Sequence, residues 1–186
     1  MAKASKSSIS SMTVRTRRAY FDCKFGQLHV RTAFPGSGGF DEQVTLVCLH
    51  PKDESSRTFG RFLADIADVR SVYAPDLPGY GESDPSPARG IADAAAAISD
   101  LAKDLRLRQI DVMGVQYGAE VAMELAAAQP ELVRRLVLTV VPAAERLSSV
   151  KQPRLLVDVA GYGPDPFGAG SQALAKQVNA FLRSLP

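Results

Sequence analysis

The stretch MGVQYGAEVAMELA, residues 113–126, decides how this chain folds. The apolar run "QIDVMG" leads into it, and "AEVAMELAAAQ" leaves it with helical spacing before Pro130. Strand and helix therefore meet around Gln116, with Gly114 and Gly118 two residues to either side. A turn this sharp forces its central residue into strained backbone, and the spacing predicts a positive φ at Gln116. The residues two before and two after must be small, because the chain doubles back on itself there. Ala119 and Ala122 would then let the helix pack closely on a sheet.

Working outward, residues 14–23 and 27–34 alternate around Gly26 and read as an antiparallel hairpin. "QVTLVCLH" (43–50) is a near-continuous apolar run, as expected of a strand buried on both faces. Phe59, Phe62, Leu63 and Ile66 fall at helical spacing after a Ser-Ser start. "SVYAPDLPGYGESDPSP" gives a short strand and a Pro/Gly-rich loop, and Ile91, Ala95, Ile98, Leu101, Ala102 and Leu105 form the next helical stripe. "RRLVLTVV" and "RLLVDVA" (154–160) read as strands, and Leu174, Val178, Phe181, Leu182 and Leu185 as a final amphipathic helix. Strands alternating with helices of this length imply an α/β fold. The expected form is a three-layer α/β/α sandwich whose sheet is mostly parallel beyond the hairpin. With no repeat and no linker, residues 14–186 read as one domain behind a flexible basic tail, residues 1–13.

Composition narrows the function classes. Of 186 residues, 46% are hydrophobic and 23% charged, with a net charge of +2, so there is no electrostatic case for nucleic acid. Residues 1–18 carry Lys3, Lys6, Arg15, Arg17 and Arg18 with no acid, leaving 17 basic against 20 acidic residues in the rest. This Ser-rich, basic start has the composition of a transit peptide or of a disordered extension, and the second is the simpler reading. No apolar stretch reaches membrane-spanning or signal length, so a cytoplasmic protein with no membrane partner is expected. Cys23 and Cys48 match no metal spacing and read as reduced thiols. "GYGES" and "PGSGG" complete neither a phosphate loop nor a dinucleotide fingerprint, so neither cofactor nor metal is expected.

"LVCLHP", "PDLPGYGES", "MGVQYG" and "PELVRRLVL", in that order, resemble the α/β-hydrolase superfamily. The epoxide-hydrolase, esterase and dehalogenase-like branch is closest in style. The resemblance runs over about 14–142 and again over 153–185. It places Gln116 at the nucleophile elbow, His50 at the start of the oxyanion loop, and the N–H groups of Lys52 and Tyr117 as oxyanion donors. His50, Asp76 and Ser83 would border the cleft, with Asp76 ordering the loops around it. Tyr162 stands where the late catalytic histidine would be. An alternative alignment makes 154–160 the acid-bearing strand, with Asp158 or Asp165 near the acid position. The first alignment is preferred because it leads directly into the last helix.

On the first alignment all three triad roles are empty. Gln116 is a neutral amide that neither attacks a carbonyl nor supplies a carboxylate. The chain has two histidines, His29 and His50, and none later. His29 reads as structural or surface, and His50 as a loop pin ahead of its alternative, an acid–base group. Tyr162, as a phenol with an ordinary value near 10, is a poor base at neutral pH. Only residues 143–152 stand where relatives carry a lid, so a lidless fold is expected. The leading expectation is a hydrolase homologue that has lost serine-hydrolase catalysis and serves as a binding or interaction module for a small molecule or a protein. The shortened sheet end or the final helix would then seat a partner or a second copy. Two alternatives stand beside it. One is an enzyme with non-standard residues acting on a small ester, epoxide or related substrate. The other is one part of a split hydrolase.

Overall fold

The structure, a computed structural model, describes residues 14–36, 43–87, 90–139 and 147–184. The basic tail 1–13, Asp41, Glu42 and much of the segment expected to replace a lid lie outside the described residues. A hairpin opens the fold: β1 (Arg15–Cys23) pairs antiparallel with β2 (Gly26–Phe34) around Gly26. There follow β3 (Leu46–Leu49), α1 (Phe62–Ile66), β4 (Val72–Pro75), α2 (Ile91–Asp104), β5 (Ile110–Gly114) and α3 (Tyr117–Ala128). β6 (Val133–Leu138), β7 (Arg154–Leu156) and α4 (Ser171–Arg183) complete it. The strands form one sheet in the order β1-β2-β4-β3-β5-β6-β7, parallel from β4 onward.

Period-two alternation builds the layers. Leu46, Cys48, Met113 and Val137 face α1 and α4, while Val47, Leu49, Val112, Leu136 and Leu138 face α2 and α3. The core is tight at the positions the pattern selects: Phe59, Phe62, Ile66, Val112 and Val137 are fully buried. Burial of this apolar face on both sides supplies the main driving force for the fold.

Two elements differ from the sequence reading. The helix expected across Phe59–Ile66 is divided into a 3-10 turn, Ser56–Phe59, and the five-residue α1. Ser55 caps that turn by accepting the Arg57 N–H, and the turn closes at Gly60, whose N–H donates to the Arg57 carbonyl. The strand expected over 154–160 stops at Leu156, because the Asp158 carboxylate accepts the Ala160 N–H and starts a second 3-10 turn, Val159–Tyr162.

The final helix is bound into its own chain. Leu174, Val178 and Leu182 are fully buried in the cluster that holds Phe62 and Leu63. Its last carbonyls are capped from β6: Arg134 donates to Leu182 O at 3.0 Å, and Arg135 donates to Phe181 O at 2.7 Å and to Ser184 O. The buried Arg70 and Asp111 meet beneath it at 3.2 Å, and Arg134 also holds Asp111, at 2.6 Å.

Candidate functional site

At the end of β5 the backbone turns into α3 through Gln116, at φ 49°, ψ −112°. The positive φ is the one the glycine spacing implies, and the Gln116 side chain is exposed at the apex. A Cβ on Gly114 would lie 2.6 Å from Ala119 N, and one on Gly118 would lie 2.8 Å from His50 O and closer still to Leu49 O. The elbow therefore exists because two glycines let β5, α3 and the end of β3 approach backbone to backbone.

Beside the elbow lies an open cleft of about 560 Å³. Its walls are largely apolar, from Leu77, Pro78, Ile91 and Ala94, with the rings of Tyr80 and Tyr117 6.4 Å apart. Among the described residues Lys52 is the one charged residue in its lining. Among the described residues the N–H groups of Lys52 and Tyr117 meet no acceptor, so both expected oxyanion donors remain free beside the cleft. Burial, then the neighbouring Tyr80, Glu120 and Asp93, pushes the Tyr117 phenol up, so it is a donor and not a base at neutral pH.

The other expected residues do not reach this cleft. His50 is fully buried: its Nε2 accepts the Leu77 N–H at 2.9 Å, which leaves Nδ1–H to donate to the Pro51 carbonyl at 2.7 Å. Both ring nitrogens are committed, and burial holds the imidazole below its ordinary value, in its neutral form. Asp76 is 1% exposed and ties three segments together. It accepts the Ser56 N–H at 2.6 Å, the Glu82 N–H at 2.8 Å and the His29 ring at 2.9 Å. Burial pushes its carboxyl up, but the hydrogen bonds from Glu82, Ser56 and His29 outweigh this and hold it below the ordinary carboxylate value. Ser83 is also enclosed, its hydroxyl accepting the His29 N–H and donating to the Asp76 carbonyl. His50, Asp76 and Ser83 are thus enclosed and not among the residues lining the cleft, although the His50 ring lies 5.6 Å from that of Tyr80, which lines it.

Tyr162 lies on the second 3-10 turn and donates to Gln177 Oε1 on α4, outside the cleft lining. Asp158 caps that turn, and Asp165 accepts the Ala169 N–H. The sequence reading missed the cleft walls, Tyr80, Ile91 and Ala94, and the His29–Asp76 pair.

The α/β-hydrolase-fold family model matches residues 44–184. The chain belongs to the alpha/beta hydrolase fold family. This hydrolase-fold chain is 28% identical over 163 residues to the soluble epoxide hydrolase of Corynebacterium sp. (strain C12), covering 84% of itself and 54% of that enzyme. It is 34% identical over 94 residues to an uncharacterized protein of Mycobacterium tuberculosis, covering 50% of itself and 28% of that protein. Among solved structures it is similar to the N-acyl homoserine lactonase AidH complexed with N-hexanoyl homoserine. There the identity is 25% and the TM-score 0.59, over 67% of this chain and 45% of that one. The chain thus spans well under two thirds of the relatives it matches. Among the described residues no helix is long and apolar enough to cross a membrane.

Proposed function

We propose that this hydrolase-fold chain is a binding module that holds a small, largely apolar molecule in the cleft beside Gln116 and does not cleave it. The observation that carries the reading is the division of the site. The cleft is open and keeps two free N–H donors, while both histidines are buried and tied into backbone and carboxylate contacts. Acyl transfer needs a nucleophile with a base in reach, and neither lines the cleft. Lys52 and the two tyrosines would orient a polar end of the ligand, and Leu77, Ile91 and Ala94 would cover its body. The observation favouring residual chemistry is the pair of free donors, which would polarise a carbonyl without an attacking group to use it.

The test is an NMR titration of the chain with p-nitroacetanilide, an uncleaved amide probe. The reading expects saturable shifts at Lys52, Tyr80, Ile91 and Tyr117, and no release of p-nitroaniline. Shifts elsewhere, or release of the amine by the wild type but not by Tyr117→Ala, would contradict it.

A protein partner belongs to the same reading by a separate observation. Among the described residues β7 pairs only with β6, and Leu156 is 42% exposed, so the sheet end would offer a strand edge to a second copy or to another polypeptide. Sedimentation velocity over a hundredfold concentration range checks this, and a single monomeric species throughout would count against a homodimer.

A further inference from the structure

On the hairpin, far from the elbow in sequence, Arg18 stands directly opposite Arg31 across β1 and β2. Opposed residues share a face of an antiparallel pair, and like charges so placed repel. Thr16 lies on the same face, two residues before Arg18, as do Tyr20 and His29, whose rings are 5.4 Å apart. That face turns toward α1, because Ala33, two residues beyond Arg31, packs in the cluster of Phe59, Phe62 and Leu63. Between the hairpin and α1 lies a pocket of about 400 Å³, which Thr16, Arg18, Arg31, Gly60 and Leu63 help to line. Gly60 contributes no side chain to that wall.

Among the described residues the arginines have no counter-charge in contact. Among the described residues neither Arg18 nor Arg31 makes an ion pair, and Arg31 Nε is buried without a hydrogen-bond partner. Glu82, a carboxylate whose charge Arg18 feels, is in contact with Arg57 at 2.7 Å instead. A buried guanidinium donor with no acceptor costs free energy, and a second arginine opposite it adds repulsion. A tetrahedral oxyanion in the pocket would offset the repulsion, held by the terminal guanidinium nitrogens of both arginines with the Thr16 hydroxyl as a further donor.

We propose that this pocket binds the phosphate group of a small phosphorylated organic molecule. Its volume exceeds that of a free phosphate, and the Leu63 wall gives the organic part an apolar contact. The site is separate from the elbow cleft and does not depend on how that cleft works.

Isothermal titration of the full chain with phenyl phosphate, at an ionic strength fixed by NaCl, tests this. Saturable binding is expected, weakened about tenfold or more by Arg31→Gln, since one charge-assisted hydrogen bond corresponds to at least that factor. Arg18→Gln, at an exposed position where folding is not at risk, should weaken it in the same direction. Heats no different from those of added NaCl, or equal affinity in both arginine variants and the wild type, would overturn the proposal. Inorganic phosphate binding as tightly as phenyl phosphate would overturn the claim that the ligand is organic.

Discussion

The elbow at Gln116 and the polar knot around Asp76 make opposite use of the same fold. At the elbow the backbone is strained and the side chain is free: Gln116 is exposed at φ 49° with no charge to offer. At the knot the chemistry-bearing groups are present, but each is bonded into the structure: Asp76 to Ser56, Glu82 and His29, and Ser83 to His29 and the Asp76 carbonyl. His50 beside it is held the same way, between Leu77 and Pro51. Turn geometry and chemistry are thus separable. Glycines hold the shape of the elbow whatever residue stands at its tip, and a buried histidine–aspartate pair ties loops together.

The knot should be the costlier of the two to disturb. Asp76→Ala leaves the buried Ser56 N–H, the part-buried Glu82 N–H and the His29 ring without their acceptor, and a loss of about 3–5 kcal/mol is expected in urea unfolding. A loss below about 1 kcal/mol would mean that the loops are held by something other than this carboxylate. Because the folded-state value of Asp76 lies below its ordinary one, its contribution is complete at neutral pH. It is lost as pH falls through the folded value, below about 3.8.

At the elbow, Gly118→Ala should cost about 3 kcal/mol, since the new Cβ meets the backbone of Leu49 and His50 and not a flexible side chain. A neutral result would remove the argument that close backbone approach fixes the turn. The smallest effect is expected at the tip itself. Gln116→Gly should raise stability by about 1 kcal/mol, as relief of the positive φ exceeds the added chain entropy of glycine. A clear destabilisation would show that the Gln116 side chain makes a contact that its exposure does not suggest.

What the sequence made legible follows the same division. The elbow could be read because its cause is local: two glycines and an apolar strand running into a helical pattern. The layers could be read because alternation within β3, β5 and β6 sends successive side chains to opposite cores. The walls of the cleft could not, because Tyr80 comes from a loop and Ile91 from the start of α2, and only the folded sheet brings them to Tyr117. The His29–Asp76 contact spans 47 residues and depends on β2 pairing antiparallel with β4, a register that no local pattern announces. β7 was read too long because its apolar run continues past Leu156, while the competing Asp158 cap is a single hydrogen bond.

The central claim is that this chain keeps the elbow and lacks the nucleophile–base pair, and Gln116→Ser tests it most directly. The account predicts that the variant hydrolyses p-nitrophenyl acetate no faster than the wild type, because installing a hydroxyl at the tip brings no histidine to it. A large, saturable gain in hydrolysis that His50→Gln or His29→Gln then abolishes would contradict it, by showing that a buried histidine reaches the elbow after all.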